Sequence, residues 1–239
     1  MKTLQRPGII LGLAIFAGIA TSITSCSKTG ATNNNSVSTY VTVMNLASWS
    51  PATEIYFNGS KSTKPITAGN FSQSYYPLKP GNYDVQFKIA GGDSVMADIP
   101  ASSYDSLSFY TLIMYNATRN SPVAAVKIQD DFSTVSATSA NFRFFNMCPD
   151  VPSADLYINN TKVYSNRTVA DNVNYSLFNT FQPFTAGTYT IQLKTAGTDS
   201  VIASINSYSM QVQNAYTIFL DGKIGSTNPV ALNILKASF

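Results

Sequence analysis

Histidine is absent from all 239 residues, and cysteine occurs only twice. Without histidine there can be no Ser-His-Asp triad, no Cys-His pair and no His-based zinc site. Charge is scarce as well, at 11% of residues, while Ser, Thr, Asn and Tyr are abundant. A surface solvated by hydroxyls and amides in this way suits an envelope or extracellular β-protein. Removal of an N-terminal leader carrying Lys2 and Arg6 would take the formal charge from +3 to +1. So balanced a chain sets up no field for nucleic acid, and no nucleic-acid partner is expected. Tryptophan occurs once, as Trp49.

Long apolar runs are missing except at the N-terminus, where Ile9 to Ala20 follows the basic Lys2 and Arg6. That run is shorter than the roughly 20 apolar residues a membrane span needs, and it has the length of a signal-peptide core. It leads into Ile23-Thr24-Ser25-Cys26, which resembles a bacterial lipobox with Ile where Leu is commoner. Residues 1–25 are expected to be a lipoprotein signal peptide, and Cys26 the lipidation site and membrane anchor. Two or three acyl chains hold a protein stably where one does so only weakly. The polar stretch 26–38 reads as a flexible tether. Its basic Lys28 is unlike the acidic signal of many surface-exported lipoproteins. The expected location is the bacterial outer membrane, with periplasmic and surface faces both open.

The remaining chain is a duplication. Tyr40-Val-Thr-Val-Met-Asn45 aligns with Asn141-Phe-Arg-Phe-Phe-Asn146, and Pro51-Ala-Thr-Glu-Ile-Tyr-Phe-Asn58 with Pro152-Ser-Ala-Asp-Leu-Tyr-Ile-Asn159, at an offset of 101. Gly81-Asn-Tyr-Asp-Val-Gln-Phe-Lys88 then matches Gly187-Thr-Tyr-Thr-Ile-Gln-Leu-Lys194 at an offset of 106. The second copy has therefore gained about five residues between Asp171 and Pro183, which implies a surface loop. The boundaries that follow are a first repeat over 39–131, a linker over 132–140 and a second repeat over 141–239.

Each copy alternates short β-branched and aromatic runs with turn signals. In the first copy these are Thr39 to Met44, Glu54 to Phe57, Asn82 to Ile89, Ser94 to Ile99, Phe109 to Met114 and Val123 to Ile128. Asn58-Gly59, Pro80-Gly81 and Gly91-Gly92 separate them. No stretch has a helical period. The fold class is all-β, two tandem antiparallel β-sandwiches of immunoglobulin-like type, with about seven strands each. Tyr83 and Tyr189 each open an alternating strand after a Gly turn, where a tyrosine hydroxyl bonds back to nearby backbone.

The opening strand ending in Asn, Pro51-x-x-Glu54-Ile-Tyr-x-Asn58-Gly59 and its counterpart from Pro152, the Gly-x-Tyr strand, and the Ala90-Gly91 and Ala196-Gly197 turns together resemble the DUF4397 family. The resemblance covers nearly all of the mature chain. It implies a repeated β-sandwich of bacterial envelope or secreted proteins, with no assigned activity and no catalytic residue to carry over. The second copy keeps the family's Pro-Asp pair as Pro149-Asp150, whereas the first has Ser48-Trp49.

Carboxylates are the chemistry that remains. Glu54 and Asp155 fall at equivalent positions in different copies, so they are not read as an acid/base pair, which needs about 5 to 10 Å. They are expected to hold a turn. Asp93 and Asp199 suit Asx turns. Asp130-Asp131 offers oxygens of the kind a hard cation takes, but two adjacent acids beside a linker read as solvated. Cys148, with no partner left once Cys26 is acylated, reads as a small buried hydrophobe. No catalytic residue, metal site or cofactor is expected.

The aromatics Trp49, Tyr75, Tyr76 and Tyr104 lie in or near loops of the first copy and are candidate ligand-binding residues, because Tyr and Trp faces stack on sugars while their polar ends hydrogen-bond. The expected function is a non-enzymatic, membrane-anchored binding or adhesion module for a glycan or an envelope partner. The alternative is a structural or assembly lipoprotein that contacts envelope proteins through exposed sheet edges. A cluster of exposed aromatics at one end would favour the first, and an apolar face shared by both copies the second.

Overall fold

The computed structural model describes residues 37–174 and 176–238. The expected signal peptide, Cys26 and most of the expected tether lie outside the described residues. The first repeat comprises β1 (Thr39–Asn45), β2 (Thr53–Phe57), β3 (Ser60–Lys61), β4 (Asn70–Phe71), β5 (Tyr76–Leu78), β6 (Gly81–Ile89), β7 (Val95–Tyr104), β8 (Phe109–Asn116) and β9 (Val123–Asp130). The second comprises β10 (Ala140–Asn146), β11 (Ala154–Ile158), β12 (Thr161–Arg167), α1 (Val169–Asn174), a 3-10 turn at Ser176–Asn179, β13 (Gln182–Phe184), β14 (Gly187–Thr195), β15 (Val201–Met210), β16 (Asn214–Asp221) and β17 (Ala231–Ser238).

Each repeat is a sandwich of two sheets. The outer sheets run β3-β2-β6-β7 and β12-β11-β14-β15, and the inner ones β4-β1-β8-β9, with β5 also on β1, and β13-β10-β16-β17. Outer strands alternate, so Val85 and Phe87 point inward while Asp84, Gln86 and Lys88 stay partly exposed. The tyrosine at each strand opening behaves as its position suggests: Tyr83 donates to the Lys79 carbonyl at 2.8 Å and Tyr189 to that of Thr185 at 2.9 Å. Pairing is antiparallel throughout except that β1 runs parallel to β8 and β10 parallel to β16. The purely antiparallel expectation is corrected there. These partners are separated by the whole outer sheet, and so long a crossover permits a parallel pair.

Inner strands do not alternate. β10 and β16 are buried at every position, the pattern of strands covered on both faces. On β1, Val41 and Val43 join the core of the first sandwich, while Met44 faces the other way, into a third core. That third core joins the repeats. Met44, Leu46 and Ile113 of the first meet Phe145, Met147 and Phe219 of the second, which are their equivalents at the two offsets. Phe71 packs edge-on to Phe219 at 5.0 Å. Four sheets thus stack around three cores, and the duplicated halves meet as a pseudo-symmetric pair through the same face of each.

The segment around the insertion of the second repeat is a surface loop only in part: Leu177 is 76% exposed, whereas Asn172 and Phe181 are buried. It folds into α1 and the 3-10 turn, and Val169 and Val173 enter the third core. Thr168 caps it, its NH and hydroxyl both donating to Asp171 at 2.9 and 2.8 Å. The buried Arg167 reaches Asp171 and Asn172 and lies 4.1 Å from the Phe178 ring centroid. The physical reason is that the inner sheet has a second apolar face, and chain inserted beside it can bury side chains there.

Candidate functional site

Polar chemistry inside the molecule gathers at Arg143, the cation in the run Phe142-Arg-Phe-Phe145. Its side chain is fully buried between the repeats, 2.7 Å from the equally buried Asp130. Nε donates to Thr217 at 2.9 Å, one Nη to the Asn179 carbonyl at 3.2 Å and the other to Thr111 at 3.3 Å. Phe145 and Phe181 flank the guanidinium at 4.7 and 4.4 Å. Asp130 also accepts from Thr111 at 2.6 Å and from Tyr75 at 2.8 Å. A buried carboxylate held by an ion pair to one arginine and by two hydroxyls serves structure. The reading of Asp130 as solvated is corrected accordingly, because the neighbouring repeat covers it. Asp131 is exposed and accepts from both the NH and the hydroxyl of Ser133.

Loops of both repeats meet at one end of the stacked sheets. Asn45 ends β1 and ties the following loop: its Nδ2 donates to the Ile66 carbonyl at 3.0 Å, and Ser50 donates to its Oδ1 at 3.0 Å. Buried Leu46 and Ala47 then turn Trp49 outward, half-buried. From the second repeat, the turn between β16 and β17 approaches. Ser48 donates to the Gly222 carbonyl at 2.7 Å, and the Lys223 ammonium lies 5.1 Å from the Trp49 ring centroid. Between them is a cleft of about 570 Å³, lined by Trp49, Ser50, Asn70, Lys223, Ser226 and Asn228. The Asn228 amide nitrogen is shielded and has no acceptor among the described residues. Gly69 lets the turn come this close: its φ is +78°, and a Cβ there would stand 2.5 Å from Asn228 Oδ1.

The pseudo-symmetric contact is closed by charge instead. Asp150 stands at the position equivalent to Trp49, and Arg119 of the first repeat grips it with Nε at 2.8 Å and Nη at 3.1 Å. It also accepts the Ile224 NH at 2.9 Å. The Arg119 hydrogen bond leads in holding the Asp150 carboxyl below its ordinary value, against burial. The same loop pair thus makes an ion pair on one side and an aromatic cleft on the other.

The remaining sequence candidates do not converge on Trp49. Tyr104 is 1% exposed and packs among Phe57, Tyr83 and Tyr110. It is a core residue, which corrects its reading as a ligand platform, since its register on β7 turns it between the sheets. Tyr75 is half-buried at the junction of the repeats as the Asp130 donor, and burial raises its hydroxyl pKa well above the ordinary value. Tyr76 is 57% exposed but lines a different cleft, with Thr63 and Leu78.

Glu54 and Asp155 hold their turns, as equivalents should. Glu54 pairs with Lys61 at 2.7 Å, and that hydrogen bond holds its carboxyl below the ordinary range. Asp155 pairs with Lys162 at 2.7 Å and accepts the NH groups of Asn166 and Gly197. Burial pushes Asp155 up, but these bonds outweigh it and leave the carboxyl below its ordinary value. Asp199 reaches Lys194 at 3.1 Å, while Thr198 supplies the local turn bond to the Ser200 NH, so the expected Asx turn is replaced. Cys148 is buried and free, donating to the Gly222 carbonyl at 3.3 Å, and burial pushes its thiol up to about 11.

Arg143 and the loops of the second repeat were missed as partners of the first. An Arg isolated in an apolar strand was the available signal, because a buried cation requires a buried counter-charge.

The fold and its loop-end cleft define a tandem β-sandwich repeat protein whose halves share one apolar junction. The chain belongs to the DUF4397 family: the model of that domain of unknown function matches residues 39–157 and 140–236. No curated protein matches the chain.

Proposed function

We propose that this chain is a non-enzymatic binding module of the bacterial cell envelope, anchored in the outer membrane through lipidated Cys26, that takes glycans in the Trp49 cleft. The observation that carries the reading is the half-buried Trp49 ring set among hydroxyl and amide side chains, with an unbonded Asn228 amide beside it. An indole face stacks on the apolar face of a sugar while hydroxyl and amide neighbours fix its orientation. The alternative is a structural or assembly lipoprotein that contacts envelope proteins through exposed sheet edges; the apolar face shared by the copies lends it no support, because that face lies between the two repeats of the same chain.

The test is a glycan array probed with the mature chain and with Trp49→Ala, followed by fluorescence titration of each hit. Trp49 is the sole tryptophan, so its emission reports on the cleft directly. Binding that shifts the emission and is lost in Trp49→Ala supports the reading. An empty array, or equal binding by the variant, sinks it. Protease digestion of intact cells, with Cys26→Ala and lysed controls, decides which membrane face presents the cleft.

A further inference from the structure

The two repeats differ most at one open edge of the sandwich. In the second, β12 runs on to Arg167 and its Tyr164 ring packs on Phe142 at 5.6 Å, with Phe184 on the same ring at 5.6 Å. Val163 joins that core as well. The first repeat places smaller residues at the equivalent positions: Thr63 for Tyr164, Val41 for Phe142, Val43 for Phe144, Leu78 for Phe184 and Ser62 for Val163. The equivalence is structural too, because Thr39 pairs with Leu78 as Ala140 pairs with Phe184. β3 also stops at Lys61, and beyond it the edge of β2 is met by the isolated bridge of Thr53 with Ile66 in place of a continuous strand. What results is a cleft of about 460 Å³, floored by Val41, Val43 and Phe57 and rimmed by Tyr76 and Lys64, within the size range of small-molecule sites.

We propose that this cleft binds a small amphiphile with a hydrocarbon body and one anionic end, a site separate from the Trp49 cleft. The body takes the place of the aromatic side chains with which the second repeat fills its own edge. The anionic end is set by Lys64, the one charged residue among the described residues lining the cleft, which has no ion pair among them. An ammonium at the mouth of an apolar slot attracts an anion and repels a cation.

The experiment is isothermal titration calorimetry of the mature chain with decanoate below its micellar concentration, with decanol and decylammonium beside it. The expected result is one decanoate per chain, decylammonium at least tenfold weaker, and a negative heat-capacity change from apolar burial. Thr63→Tyr, which copies the second repeat, should abolish binding, with Val41→Phe serving the same purpose if the first variant does not fold. Lys64→Gln should bring decanoate down to the affinity of decanol. Absence of decanoate binding, decylammonium binding as tight as decanoate, or undiminished binding in a folded filling variant would each overturn the proposal. Trp49→Ala should leave decanoate binding unchanged, so the glycan reading and this one fail independently.

Discussion

Arg143 and Asp130 carry the largest single-residue consequence. Their side chains are both fully buried, and a buried charge stripped of its partner is far more destabilising than the loss of the pair as a whole. Arg143→Met should therefore lower stability by about 3–5 kcal/mol, read by urea unfolding, while Arg143→Met combined with Asp130→Leu should recover much of that loss. A double variant no better than the single would contradict the coupling. Asp221 makes a different prediction. It is 1% exposed at the end of β16, accepts from Asn233 at 2.7 Å, and burial lifts its carboxyl to about 7. The ordinary carboxylate value is about 3.9, so between roughly pH 4 and 7 the folded chain holds a proton that the unfolded chain releases. This group's contribution thus falls as pH rises through that window, by at most about 1.4 kcal/mol per pH unit. Asp221→Asn should remove that slope, which unfolding free energies of both proteins across the window will reveal. Parallel pH profiles would place the ionisation elsewhere.

Among the elements, the inserted segment of the second repeat separates what the sequence could tell from what it could not. The gain of residues between Asp171 and Pro183 was visible from the change of offset, but its burial was not. No apolar period marks six helical residues, and the side chains that anchor the segment, Arg167, Asp171 and Phe181, are individually unremarkable. Phe181 is 4% exposed, stacked 5.2 Å from Phe132 and set beside Arg143. Phe181→Ala should cost about 3–5 kcal/mol, far more than a surface loop would allow, and a loss within about 0.5 kcal/mol would return the segment to the surface. Outer strands such as β6 were legible because one face meets water and alternation follows. The short β3, β4 and β5 were not, since two or three residues leave no period to read.

For the whole molecule, the duplication and both sandwiches could be read directly, whereas the junction between them could not. A run such as Phe142-Arg-Phe-Phe145 says that both faces of its strand are covered without saying by what. The answer is the other copy, and it removes the broad apolar face that a separate repeat would have offered to a partner. Among the described residues, the loop-end cleft at Trp49 and the cleft at the sandwich edge beside Val41 both lie where the copies diverge. The most direct measurement of this account is differential scanning calorimetry of the mature chain and of Arg143→Met. A third core shared by the repeats predicts one transition, with calorimetric and van't Hoff enthalpies equal, displaced as a whole to lower temperature in the variant. Two transitions, with the variant moving only one, would mean that the repeats fold as independent sandwiches and that the junction holds little.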